Sequence, residues 1–467
     1  MIRFFPLRPS NVRRAFAGLS ILACFAAFAS TLRAEDIYIA QTAQGSDSGV
    51  DAANAHSVDF FNTLANWTAT KTVGKIGPGD TVHLVGTIST GLVVQRSGTP
   101  DATITILFDP GAKMSAPYWP SGAISLTMKH YITIDGGATG IIGGPQGNPS
   151  LANGIIECTD NGTELTHQKG STAVKATESK YLTVKGLLIE NMYVRTRGGE
   201  QNDYGSGVTN ADVNGNGITH YLVTNCIIHD AYIGVNSDYG SACDTYEFSF
   251  LTVYNCNWGI KNSDRNASAT MTGLSIHDNY LHDWINWDDT SNNSWHHNGI
   301  FVYANNGSCS NITVFNNLVG PNYTLVNSGE KSQANHSTSG VYLNTNIDDV
   351  IIYNNIFFSD GSMPSNGFIT VAVAPGHTGL GIYNNTFYNS GPGGWGRAIV
   401  AGSGIATYIV KNNIFAGCTG VYFNYASTST LISDYNLLFG ARPGHEMSYS
   451  IGSNENPYSW SQWQAMG

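Results

Sequence analysis

The feature that most constrains this chain is a short block that keeps returning at intervals of 23 to 40 residues. It reads LTVKGLL from Leu182, LVTNCII from Leu222, LTVYNCN from Leu251, LSIHDNYL from Leu274 and ITVFNNLV from Ile312. It continues as VIIYNNIF from Val350, LGIYNNTF from Leu380, YIVKNNIF from Tyr408 and LISDYNLL from Leu431. Each block alternates apolar and polar residues like a strand, and all but the first end in an Asn-containing bend. Between the blocks a second strand recurs and opens on Gly or a small residue: WGIKN at Trp258, NGIFVY at Asn298, SGVYLN at Ser339, NGFITV at Asn366, RAIVA at Arg397 and TGVYFN at Thr419. Two strands per repeat with no helix between them predict a solenoid of stacked parallel strands.

The Asn column follows from that stacking. Asn225, Asn255, Asn279, Asn317, Asn355, Asn385, Asn413 and Asn436 are expected at one bend of successive coils, where Asn tolerates positive φ. Coils stack ~4.8 Å apart, so their amides reach one another as a hydrogen-bonded ladder. Cys226 and Cys256 follow the column in consecutive coils, a spacing that suits either a disulfide or two stacked thiols. His56 to Trp67 has helical spacing and is expected to form an N-terminal helix capping the open first coil.

Four segments result. Residues 1–34 read as a signal peptide, with Arg3, Arg8, Arg13 and Arg14 before an apolar run from Ala15 to Ala29 and cleavage after Ala29 or Ala34. The destination is secreted or periplasmic; Cys24 in an imperfect lipobox is the lipoprotein alternative. Residues 35–120 hold the cap and first coils, 121–440 the repeats, and 441–467 a tail that resembles the start of a truncated terminal segment. No later stretch has the length and apolarity of a membrane span.

Charge narrows the partners. Charged residues are 12% of the chain, half the usual ~25%. The 22 basic residues less the five arginines of the leader leave 17 against 33 acidic ones, a net charge of −16. Such a body is not expected to bind nucleic acid. The six remaining cysteines contain no CxxC pair for a metal-thiolate site. A monomer is expected.

Pro78-Gly79-Asp80-Thr81-Val82, then Ser97-Gly98-Thr99 with its later Ile104-Thr105-Ile106, together with the Asn-Asn repeats, resemble the pectin-lyase-like superfamily, nearest its alginate-lyase and chondroitinase-B-like branch. The resemblance runs from Asp36 to about Gly440. It implies an all-β, right-handed, single-stranded parallel β-helix and work on polysaccharides.

In such a coil Ile260, Ile300, Val341 and Val421 are expected to point inward, and Asn236, Lys261, Phe301, Tyr342 and Tyr422 outward in one column. Asp238, Ser263, Tyr303, Asn344 and Asn424 form the next. β-Elimination on a uronic acid needs a base for the C5 proton, a cation for the carboxylate and a proton donor to the leaving oxygen. Lys261, His296 or His297 suits the base, Arg265 the cation and Tyr303 the donor. Lys261 and Arg265 are otherwise a solvated turn around Asp264, and His296-His297 an exposed strand entry. The segment from His282 to Trp295 is a long insertion whose Trp284, Trp287 and Trp295, with Tyr342, suit stacking on sugars. Asp288 and Asp289 in it, with Asp238, are candidate Ca²⁺ ligands. A glycoside hydrolase built on the Asp288-Asp289 pair and a non-catalytic sugar-binding surface protein are the alternatives. The polygalacturonase pattern is represented here only by its Asp pair.

Overall fold

The computed structural model describes residues 33–465 apart from 162–169, 193–204, 285–296, 324–338, 362, 365, 375, 392–395, 403, 426–429, 441–442, 445–446 and 452–453. Every ladder between its strands is parallel except one terminal hairpin, Met447–Ile451 against Asn454–Tyr458. The chain is a right-handed parallel β-helix whose coils each visit three stacks of strands.

One coil shows the plan. Thr219–Thr224 lies in sheet 2, a bend at Asn225-Cys226 leads to sheet 3 at Ile227, and a one-residue bend at Asp230 leads to sheet 1. The next coil repeats it: Ala242–Ser249 pairs with Thr219–Thr224, and Thr252–Asp264 pairs with Ile227–Tyr239 throughout. Stacking begins at the N-terminus, where Asp36–Ala40 pairs with Thr81–Val85. Residues that alternate inward fill a continuous core; Val235, Ile260, Ile300, Val341, Ile369 and Ile399 are all fully buried in one column of sheet 1. Each such side chain contributes about 1.5–3 kcal/mol by leaving water.

The small residue that opens the sheet 1 strands has a steric cause. A Cβ on Gly234, Gly259 or Gly299 would lie 2.5–2.6 Å from the carbonyl oxygen of the next glycine in the column. No side chain fits at that distance.

The Asn ladder is present, with two corrections. Asn279, Asn317, Asn355, Asn385, Asn413 and Asn436 form it, each Oδ1 from Asn317 onward accepting from the previous Asn side chain and from its backbone N–H at 2.9–3.1 Å. These residues do not themselves carry the positive φ. That belongs to the residue before each: Asp278, Asn316, Asn354, Asn384, Asn412 and Tyr435. Asn225 sits at this preceding position, and Cys226 stands where the ladder Asn would be. Asn255 belongs to another bend altogether, between sheets 3 and 1, beside Asp230. Similar local sequence thus serves two corners. For the same reason Cys226 and Cys256 are not stacked. Cys256 pairs with Ala231 and Trp284, and all six described cysteines are free and buried.

The segment from His56 gives a five-residue helix, Val58–Asn62, and a separate 3-10 turn, Leu64–Asn66. Phe61 and Trp67 enter the core, with the Trp67 indole N–H donating to the Phe61 carbonyl at 2.5 Å. No described helix is long and apolar enough to cross a membrane.

Candidate functional site on the outer face of sheet 1

The strand ladder places Asn236, Lys261, Phe301 and Tyr342 side by side in successive coils, and Asp238, Ser263, Tyr303 and Asn344 in the next column. Alternation turns these side chains away from the core. In the two coils carrying Asp238 and Lys261 the link from sheet 3 to sheet 1 is a single residue, Asp230 or Asn255. In the coils before and after, the link runs through 191–205 and 285–297. Short links therefore lie between two long ones.

Asp238 is the centre of the charged half. Its Oδ1 accepts from Lys261 Nζ at 2.9 Å and from Ser263 Oγ at 2.5 Å, and Arg265 Nη1 lies 3.5 Å from its Oδ2. Lys261 also donates to Ser263 Oγ at 2.7 Å and to Asn236 Oδ1 at 3.1 Å. Burial pushes the Asp238 carboxyl upward, but Lys261, Ser263 and Arg265 outweigh it and hold the group below the ordinary carboxylate range. The Asp238 carboxylate is thus ionised at neutral pH, and three hydrogen bonds fix the Lys261 side chain in place.

The apolar half is a second cluster, separate from the main core. Tyr232, Ile233, Trp258 and Phe301 pack together, with Tyr303 and Tyr342 against them. Phe301 lies parallel to Tyr342 with centroids 5.5 Å apart and to Tyr303 at 5.7 Å, and Lys261 Nζ is 5.8 Å from the Trp258 ring centroid. Burial raises the phenol pKa of Tyr342. Burial and nearby Asp264 raise that of Tyr303, so both stay protonated at neutral pH.

Lys261, Arg265, Tyr303, Tyr342 and Asp238 therefore share one face, as the strand pattern predicts. His297 precedes Asn298, the partner of Trp258, and is buried. It lies four residues before Phe301, the partner of Lys261, or about 13 Å along the strand. Trp284 is a correction. It ends the strand Tyr280–Trp284, is 2% exposed and stacks on Tyr323 inside the core at 4.8 Å, so it offers no face to a sugar. Asp264 receives the backbone N–H groups of Asn305, Asn306 and Gly307 and holds a bend, rather than pairing with Arg265. Asp288, Asp289, Trp287, Trp295 and His296 lie outside the described residues. Asp238, proposed with them as a Ca²⁺ ligand, is occupied by Lys261, Ser263 and Arg265.

Trp258, Tyr232 and Ile233 were not legible as outward residues, because the Gly column interrupts strict alternation just before Val235 and Ile260. A His-carboxylate group on sheet 3 was also missed. His229 Nδ1 lies 2.5 Å from Asp230 Oδ2 and its Nε2 3.2 Å from Glu190 Oε2. Burial lowers the imidazole pKa, but the two carboxylates outweigh it and raise it to about 9. The signal was a recurring His-Asp pair. At 229/230, 277/278 and 282/283 each His bonds the following Asp, which takes the positive φ of a bend.

No protein-family model matches the sequence, and the search of curated proteins found no match. Among solved structures the chain is similar to the GH136 lacto-N-biosidase of Eubacterium ramulus, at 12% identity over 86% of this chain and 67% of that one, with a TM-score of 0.42. It is also similar to an alginate lyase from a Paenibacillus species, at 12% identity over 89% and 98%, TM-score 0.33. A third is the family 28 exopolygalacturonase of Yersinia enterocolitica, at 11% identity over 88% and 79%, TM-score 0.42.

Proposed function

We propose that this is an exported polysaccharide-active protein that holds its glycan against the outer face of sheet 1 and cleaves a uronic-acid-containing chain by β-elimination. The observation that carries the reading is the junction of two unlike surfaces in one register. An aromatic group (Trp258, Phe301, Tyr303, Tyr342) adjoins a fixed cationic group (Lys261, Arg265) anchored on Asp238. Rings suit sugar faces, and a fixed ammonium and guanidinium suit a uronate carboxylate.

Lys261 is held by the ionised Asp238, Ser263 and Asn236, which suits it to neutralise charge rather than to abstract a proton. Arg265, whose side chain is 41% exposed, is the second neutralising group. Tyr303 keeps its proton at neutral pH and suits donation to the leaving oxygen. His297 is buried about 13 Å along the strand from the Lys261 register, beyond reach of a C5 proton whose carboxylate Lys261 holds, and takes no part in the transfer.

The test is incubation with a panel of uronate-containing and neutral polysaccharides, following both unsaturated-product absorbance and reducing ends. The expected result is absorbance on a uronate polymer, reduced about 10²–10³-fold in Lys261→Ala and about 10²–10⁴-fold in Tyr303→Phe. Reducing ends without absorbance would replace elimination by hydrolysis. Retention on the polymer with no product at all would leave a binding protein.

A further inference from the structure

The outward column that holds Lys261 begins well before it. Lys175 pairs with Thr209, Thr209 with Asn236 and Asn236 with Lys261, so the four stand in line in successive coils. Three coil steps of about 4.8 Å separate Lys175 from Lys261, about 14 Å along the axis. The same column runs on through Phe301 to Tyr342. In order it offers a cation, a hydroxyl, an amide, a second cation and two rings, with no carboxylate among them.

Lys175 is the exposed member of the strand Thr172–Thr177. Gly122 leaves room for it, since a Cβ there would lie 2.7 Å from the Lys175 Cβ. Its Nζ reaches the Pro120 carbonyl at 3.4 Å and makes no ion pair among the described residues. Lys71, Lys113, Lys185 and Lys261, by contrast, each have a carboxylate within 3.0 Å. The neighbouring outward column places Thr177 and Ala211 beside Lys175 and Thr209, and neither carries charge. The face therefore differs in sign from the molecule. The chain has a net charge of −11, yet here Lys175, Lys261 and Arg265 meet one carboxylate, Asp238. Nearby Asp264 is taken up by three backbone N–H groups. A positive strip on an acidic body concentrates anions where the strip lies.

Given a glycan held on sheet 1, as proposed above, we propose that it lies lengthwise along this column and that Lys175 is a specificity-determining residue. Lys175 binds a second carboxylate, three coils from the one that Lys261 and Arg265 neutralise. Thr209 and Asn236 offer hydrogen bonds to the sugar hydroxyls between the two, and Phe301 and Tyr342 offer ring surface at the other end. The substrate class narrows accordingly to chains that carry carboxylates on more than one sugar. A glycan with a single uronate at the point of cleavage gains nothing from Lys175.

The experiment is equilibrium binding of the full chain, on ice, to bead-immobilised polygalacturonate, alginate and a neutral glucan. It is run at about 0.01 M and about 1 M salt, where the screening length is about 30 and about 3 Å. The wild type is expected to bind at least one uronate polymer and not the glucan. At low salt Lys175→Gln should weaken that binding about 2–5-fold, the worth of one exposed ion pair, and Lys175→Glu about 4–25-fold by taking that step twice. At high salt Lys175→Gln and wild type should bind alike, because the lost contact is a screened charge; a loss of structure would persist. Lys185→Gln removes one positive charge from sheet 2 instead and should bind as wild type does. Undiminished binding by Lys175→Gln at low salt overturns the role of Lys175 and leaves the site on sheet 1 standing. So does a difference that survives high salt, or an equal loss in Lys185→Gln. Binding of the wild type to neither uronate polymer removes the site itself and the role of Lys175 with it.

Discussion

Asn317→Ala tests whether the ladder holds the coils together or merely lines a bend. Asn317 is 2% exposed. Its Oδ1 accepts the Asn279 N–H at 3.1 Å and Asn279 Nδ2 at 2.9 Å; its Nδ2 donates to Ile276 O at 3.0 Å and Asn355 Oδ1 at 2.9 Å. Truncation removes all four bonds. Asn279 Nδ2 keeps Phe248 O, and Asn355 Oδ1 keeps the Asn317 N–H, so these two are only weakened. The Asn279 backbone N–H loses its acceptor in a buried place, which costs about 1–3 kcal/mol, and each of the other three bonds about 0.5–1.5 kcal/mol. The expected loss is about 3–5 kcal/mol. Asn436→Ala, at the half-exposed end of the ladder, should lose only about 1 kcal/mol because water replaces its bonds. Urea unfolding gives the difference between the variants, and hydrogen exchange at the Asn279 amide reports the orphaned group itself. Equal destabilisation by the two variants, or an Asn279 amide as protected as in wild type, would refute the reasoning.

Asp238→Asn leaves Lys261 with a largely buried ammonium and no anion, and should cost about 2–4 kcal/mol at pH 7. Because the folded carboxyl titrates low, Asp238 contributes stability above the ordinary carboxylate range and loses it as pH falls through its folded value, so the variant should show a flatter acid limb in unfolding measurements. His229 has a folded pKa raised from its usual 6.5 to about 9; its contribution, about 2–3 kcal/mol, is complete below pH ~6.5 and fades as pH rises through ~9. Urea midpoints at about pH 6 and 9.5 should therefore differ more in wild type than in His229→Gln; identical shifts would discard the clamp by Asp230 and Glu190. Tyr342→Ala should reduce retention in polysaccharide affinity gels about 2–10-fold through lost stacking, and unchanged mobility would move the sugar-binding surface away from the aromatic group.

Repetition made the architecture legible. A period-2 block that returns nine times, with Gly-led strands between, leaves little besides stacked parallel coils, and the inward column of Ile260, Ile300 and Val341 follows from alternation alone. The outward neighbours followed by the same rule, so Lys261, Tyr303, Tyr342 and Asp238 could be placed on one face before any coordinates. Local sequence could not separate two corners of similar appearance. Asn225, Asn255 and Asn279 each end a strand-like block, but only Asn279 enters the ladder, because strand register decides which bend a residue occupies. Nor could it tell Trp284 from a sugar-stacking tryptophan, since inward or outward is fixed by the last strand residue before an insertion. Alternation along a strand is local and is written in the sequence; adjacency between coils depends on the length of every intervening turn, and only the closed three-sheet coil determines it.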